Sequence, residues 1–268
     1  MKRNQVAVLG RGHSLKAFNL LPKMDHYVIT NDFCGELEQK NIKSTLAKAK
    51  SMSHVCQIYE SVRNMINGGY YDQFPITERV VPHLASNISI EKEGAGFKIL
   101  STNRRRKLPP HKTPLKGQSS KVASMLSQID PRFLSESKDD KTILSAPSAG
   151  MSSVCYAAVD LDFDEVYITG LDFGALPGIT AAELVKGTST PTSKEVITHP
   201  FAVGRYQVST AGEKNKAGSY WKYADLFVMD VGFLDELARR LPSKKFYVYT
   251  IADLRFNSKN IFSHKVNK

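Results

Sequence analysis

The chain has 268 residues and 29.8 kDa, with 37 lysines and arginines against 26 aspartates and glutamates, a formal charge of +11 and a pI near 9.4. Its 41% hydrophobic and 24% charged content is that of a globular chain able to bury its own core, which excludes wholesale disorder. No apolar run reaches the ~20 residues of a membrane span, MKRNQVAVLG lacks a signal peptide's long apolar stretch, and three widely spaced cysteines (Cys34, Cys56, Cys155) argue against a disulfide framework and for a reducing, cytoplasmic compartment.

In chain order, Gln5–Leu9 reads as a short apolar strand closed by Gly10. Leu15, Phe18 and Leu21 then share one side of a short helix, with Ser14 as its N-cap. His26–Thr30 is a second strand ending at Asn31-Asp32, and Phe33–Lys40 reads as helix. Residues 42–100 have no clear phase, apart from a strand or hairpin near Ile88–Ile99 punctuated by Gly94 and Gly96. Thr142–Ala146 reads as a buried strand and Pro147–Gly150 as a turn. Val154, Ala157, Ala158 and Leu161 follow helical spacing, and Glu165–Thr169 is a strand ending in Gly170-Leu171-Asp172. Residues 173–222 lack periodicity, which in a compact chain marks a lid or disorder. Ala224, Phe227, Val228, Val231, Leu234, Ala238 and Leu241 mark an amphipathic helix, with Arg239 and Arg240 suiting its negative end. Phe246–Ile251 closes the set as a strand.

This alternation predicts an α/β, Rossmann-like, mostly parallel sheet with helices on both faces and an inserted lid segment. The expected division is 1–172 with 223–268 as the Rossmann-like domain, and 173–222 as the lid over its site. Ligands of such sheets sit at the carboxyl ends of the strands, so Gly10–Leu15, Asn31-Asp32, Gly170–Asp172 and the Pro147–Gly150 turn are the candidate segments.

The first turn, Gly10-Arg11-Gly12-His13-Ser14-Leu15, lets backbone approach a ligand and offers N–H groups at a helix start. Leu15 stands where a dinucleotide fingerprint has its last glycine, and Asn31 where a ribose-binding acid is expected, which disfavours a nicotinamide dehydrogenase. The second turn, Ser148-Ala149-Gly150-Met151-Ser152-Ser153, has small hydroxyl residues that either cap a helix or grip a ligand.

VAVLGRGHSLKAFNLLPKMDHYVITNDF resembles the N-terminal motif of the bacterial sialyltransferases of glycosyltransferase family 42, in which a G-N-G-P-S-L turn precedes a strand ending in asparagine. Gly10, Gly12, Ser14, Leu15 and Asn31 carry the likeness. SAPSAGMSSVCYAAVDLDFDEVYITGLDF resembles the family's second block through Ser148, Gly150, Val166, Tyr167, Gly170, Leu171 and Asp172. The resemblance covers about a fifth of the chain. It implies a CMP-activated donor, an inverting transfer, no cofactor beyond the donor substrate and no obligatory metal. Arg11 replaces a family asparagine, His13 a proline, and Trp221-Lys222-Tyr223 occupy the place of the family's general-base histidine.

Such a transfer needs a base for the acceptor hydroxyl, cations or donors for the leaving phosphate, and a lid against water. His199 and His13 are the candidate catalytic residues. Gly10, Arg11, Gly12, Ser14, Asn31, Asp32, Ser148, Gly150, Ser152, Gly170 and Asp172 are the candidate nucleotide-sugar-binding set. Arg205, Tyr206, Tyr220 and Tyr223 are candidates for the leaving phosphate. No dense cluster of acids, histidines or cysteines suggests a tight metal site.

The expected function is therefore a metal-independent glycosyltransferase moving a sialic acid or Kdo-like sugar from a CMP donor to a cell-surface glycan or glycolipid such as lipopolysaccharide. The alternatives are a pterin or nucleotide diphosphokinase-like transferase, and a non-enzymatic basic module on nucleic acid or membrane. Residues 102–122 hold seven basic residues and no acid. They are read as a mobile loop, either a solvated surface segment or one that meets a phosphate-bearing ligand or, through 104–121, the inner face of an anionic membrane. Nucleic acid is not expected, since the stretch has no aromatic residue to stack on bases. A homo-oligomer is compatible with the sequence.

Overall fold

The computed structural model describes residues 4–56, 59–80, 88–93, 96–101, 111–117, 119–129, 134–136, 142–144, 146, 148–171, 173, 195–198, 205–208, 223–251 and 254–266. For residues 59–60, 88–93, 96–101, 127, 134–136, 142–144, 195–198, 205–208 and 223–229 it describes the backbone alone.

Eight strands form one sheet in which every pairing is parallel. They are β1 (Gln5–Leu9), β2 (His26–Thr30), β3 (Met52–Val55), β4 (Ile76–Val80), β7 (Leu115–Lys116), β10 (Glu165–Thr169), β13 (Lys245–Thr250) and β14 (Ile261–Lys265), in the order β14-β13-β10-β1-β2-β3-β4-β7. β5 (Ile88–Glu93), β6 (Gly96–Ser101), β8 (Leu134–Glu136) and β9 (Thr142–Leu144) form a second, antiparallel sheet. β11 (Glu195–Thr198) and β12 (Arg205–Val208) pair antiparallel inside the expected lid.

Strands buried on both faces read as unbroken apolar runs. In β1, Val6 and Val8 face one core and Ala7 and Leu9 the other, and all four are fully buried. The first core is closed by α5 (Ser120–Ile129), by α6 (Ala149–Cys155) with the π-helical turn Tyr156–Asp160 that continues it, and by α7 (Tyr223–Arg240). Val122, Leu126, Met151, Val154, Val231 and Leu234 are the side chains they contribute. The second core is closed by the 3₁₀ helix His13–Leu20, α1 (Cys34–Leu37), α2 (Lys40–Leu46), α3 (Tyr59–Asn67) and α4 (Tyr70–Gln73). The helices thus lie on both faces, as the Rossmann-like reading requires. Among the described residues no helix is long and apolar enough to cross a membrane.

Several details differ from the sequence reading. Thr142–Leu144 is not a strand of the main sheet but pairs antiparallel with β5 and β8. The unphased stretch 42–100 contains two parallel strands, β3 and β4. The set does not close at β13, because β14 adds an edge strand. Phe33–Lys40 is broken into α1 and α2, with Gln39 extended between them (ψ 125°). Of the expected strand or hairpin near Ile88–Ile99, the hairpin is found as β5 and β6, and the helix marked by Ala224 to Leu241 is found as α7.

Part of the basic run belongs to the main sheet. Leu115–Lys116 pairs with Arg79–Val80 at the sheet edge. Lys112 Nζ lies 2.7 Å from Asp72 Oδ1, and Lys116 is paired with Glu78, which also accepts from Ser53 and Tyr156. Lysines 112 and 116 are thus matched by acids; residues 102–110 lie outside the described residues.

Candidate functional site

The order of the strands reverses between β1 and β10, where successive connections leave to opposite sides. This is where open α/β sheets leave a crevice at their carboxyl edge. Two glycine turns meet there. Gly10 N donates to Thr169 O (2.8 Å) and Gly12 N to Gly170 O (2.7 Å). Gly170 N donates to Ser14 Oγ (2.9 Å), and Thr169 Oγ1 donates to Ser14 O (2.6 Å). Gly170 has φ +73°, and a Cβ there would overlap the carbonyl of Gly10; one at Gly10 would overlap the carbonyl of Gly170 and the Leu171 side chain. These two glycines are required by the approach of one strand end to the other. Ser14 does not cap the helix as its position suggested. Gly12 is the N-cap, while Ser14 is buried in the first turn and its hydroxyl binds the opposite strand end. His13 opens the same 3₁₀ helix and is half-buried.

Arg11, in the same turn, donates through Nε to Glu36 Oε2 (3.3 Å), a carboxylate with no exposed surface. The guanidinium keeps a third of its side chain exposed, so it is anchored at the edge by a buried acid. Asn31, at the end of β2, is left-handed (φ +55°), a conformation asparagine tolerates better than most residues. Its carbonyl accepts from His54 Nε2 (2.7 Å), which fixes Nδ1 as the acceptor of the Tyr71 hydroxyl (2.6 Å). Burial lowers His54 to about 4, so it is a neutral strut. Asp32 Oδ2 accepts from Asn64 Nδ2 (2.9 Å). Burial and Asp32 push the Cys34 thiol up to about 12, which removes it as a nucleophile.

The second turn reaches the same place. Ser148 caps α6, its Oγ accepting from Met151 N (3.2 Å). Gly150 lies against Leu171, whose side-chain methyls would be 2.7 and 2.9 Å from an added Cβ. Thr30, the last residue of β2, donates to Ser153 Oγ (2.9 Å). Ser153 rather than Ser152 makes this bond to the strand end, while Ser152 is buried within the helix.

Ser148 also donates to Asp230 Oδ2 (2.9 Å). Asp230 Oδ1 is buried and has no hydrogen-bond partner. Burial raises this carboxyl from 3.8 to about 7, against the opposing effect of the Ser148 hydroxyl. Asp230 was missed in the sequence because α7 was read through its apolar positions. The signal was present: residue 230 lies three after Phe227 and four before Leu234, which puts an acid on the helix's apolar face.

Of the expected site residues, Gly10, Arg11, Gly12, His13, Ser14, Asn31, Asp32, Ser148, Gly150, Ser152 and Gly170 all lie in the turns and helix starts at the carboxyl edge. Asp172, His199 and Tyr220 lie outside the described residues. Arg205 and Tyr206 lie on β12 and Tyr223 opens α7, with only their backbones described. His54 and His111 both pack against Tyr71, with ring centroids 5.8 and 5.2 Å away. Among the described residues no three His, Cys, Asp or Glu side chains gather as a metal site. No family model, curated protein or solved structure matches the chain.

Two outcomes follow from this geometry. Gly170→Ala loses on the order of 3 kcal/mol or more of stability, since it combines left-handed strain with overlap against backbone. Urea unfolding checks this, and an unchanged midpoint would show that the strand ends part easily. Asp230 holds its proton more tightly folded than unfolded, so its contribution to stability is full below about pH 4 and is lost as pH rises to about 7. Asp230→Asn removes this loss. Its urea midpoint therefore gains on the wild type between those pH values, whereas parallel curves would mean an ordinary, solvated carboxyl.

Proposed function

We propose that the chain is an inverting glycosyltransferase that moves an acidic sugar, sialic acid or Kdo-like, from a CMP-activated donor to a glycan acceptor. The observation that carries the reading is the Asp230 carboxyl: buried, bonded to Ser148, raised to about 7, and placed at the edge where the two glycine turns meet. A general base works best with a pKa near the operating pH. The turn residues that resemble the sialyltransferase motifs gather at that edge as far as they are described, which gives the donor class its support.

In this mechanism Asp230 in its ionised form accepts the proton of the acceptor hydroxyl. The acceptor oxygen attacks the anomeric carbon, the bond from that carbon to the phosphate oxygen breaks, and the electron pair leaves with CMP. Arg11 belongs to the first turn itself and keeps a third of its side chain exposed, and it offsets charge on the departing phosphate. Glu36 positions it. The reaction draws on no metal, so EDTA leaves it unchanged.

The test compares donors and bases. CMP raises the melting temperature with or without EDTA, and CMP-sialate or CMP-Kdo is turned over. Stabilisation by ATP only with Mg²⁺ would instead support a diphosphokinase-like transferase. Asp230→Asn keeps CMP affinity and lowers turnover by about 10²-fold or more, as for loss of a general base. If His199→Ala has that effect while Asp230→Asn turns over normally, the base is His199 and Asp230 is a structural carboxyl.

A further inference from the structure

The basic residues of this chain are not all matched by acids. The lysine ion pairs of the described residues involve Lys43, Lys112, Lys116 and Lys244. Lys23, Lys48 and Lys50 form none of these pairs, and all three are exposed. They converge on one groove of ≈ 670 Å³ that they line together with Asp25, Ser44 and Thr45. Asp25 does not neutralise them in full: it is a single acid among three cations, and its Oδ2 accepts from Gln5 N (3.1 Å). The groove lies at the amino edge of the sheet, just before β2 and β3 begin, on the side away from the glycine turns.

A second feature lies close to this groove in the chain. Leu20, the last residue of the 3₁₀ helix, is 70% exposed, the most exposed large hydrophobic side chain described. It precedes Lys23 by three residues. Its helix end is held to α2 by the bond from Asn41 Nδ2 to Asn19 Oδ1 (3.3 Å). An unburied leucine three residues ahead of a groove that gathers three unpaired lysines is a combination that a bilayer interface accommodates: headgroup phosphates for the cations, and the acyl boundary for the side chain.

We propose that this amino-edge face docks on an anionic lipid bilayer, with Lys23, Lys48 and Lys50 on headgroup phosphates and Leu20 entering the interface. The inference stands apart from the proposed transferase activity and uses none of its residues. It also differs from the expectation that 104–121 forms the membrane contact: of that run Lys112 and Lys116 are matched to Asp72 and Glu78, and 104–110 lie outside the described residues. Docked this way, the protein turns its glycine-lined carboxyl edge away from the lipid. Three cations and one leucine give reversible, salt-sensitive binding.

The experiment is co-sedimentation of the full chain with phosphatidylcholine vesicles, with and without about one-third phosphatidylglycerol, at low and high salt. The expected result is binding to the anionic vesicles only, weakened by salt. Each lysine contributes roughly five-fold, so the combined variant Lys23→Gln, Lys48→Gln, Lys50→Gln binds about 100-fold more weakly. Leu20→Ser weakens binding about ten-fold. The control Arg255→Gln, Lys259→Gln, Lys265→Gln, with the same loss of charge, keeps near-wild-type binding. All these positions are exposed, and thermal melts confirm that the variants fold. Equal binding to neutral vesicles, full binding by the triple lysine variant, or equal loss in the control overturns the proposal. So does stabilisation by inorganic phosphate through the three lysines without vesicle binding, which would make the groove a site for a soluble anion.

Discussion

The apposition of Gly10 and Gly170 is the constraint on which the carboxyl edge depends. Two parallel strands end side by side, and their turns cross so closely that neither position has room for a Cβ. Four hydrogen bonds between 10–14 and 169–170 hold the crossing. Because Leu171 follows directly and packs on Gly150, the start of α6 is set by the same crossing. Ser148 then fixes Asp230, so the geometry of the proposed base descends from two glycines in neighbouring strands.

Much of this edge was legible in the sequence because it is written in local patterns. Gly10 and Gly170 each end an apolar run, and runs of that kind in alternation with helices specify a parallel sheet. Their role was not legible. A glycine that admits a ligand and a glycine that admits another strand look alike in sequence, and here the space beside Gly10 and Gly170 is taken by backbone. Ser14 shows the same limit: its hydroxyl serves a residue 156 positions away. Asp230 was hidden for the opposite reason, since it interrupts an apolar helix face whose periodicity was otherwise sufficient to identify the helix.

The strands that escaped the sequence reading share a physical cause. β3 and β4 carry Ser53, His54, Glu78 and Arg79, polar residues that are buried because they bond one another or nearby backbone and rings. Hydropathy cannot register a buried residue whose burial is compensated by a distant partner. β14 is an edge strand with four of its five residues exposed, so it lacks the apolar signature of the central strands. In the basic run, charge alone suggested a mobile loop, yet Lys112 is paired with Asp72 of α4 and Lys116 with Glu78 of β4, acids more than thirty residues earlier.

The central claim is that Asp230 is a near-neutral proton acceptor at a CMP-donor site. Carbon-13 NMR of the aspartate carboxyls, with Asp230→Asn to assign the resonance, measures this most directly when the pH titration is run with and without CMP. The account predicts an Asp230 midpoint near 7 that moves when CMP is added and does not move with ATP or NAD. A midpoint near 4, or one indifferent to CMP, would contradict it.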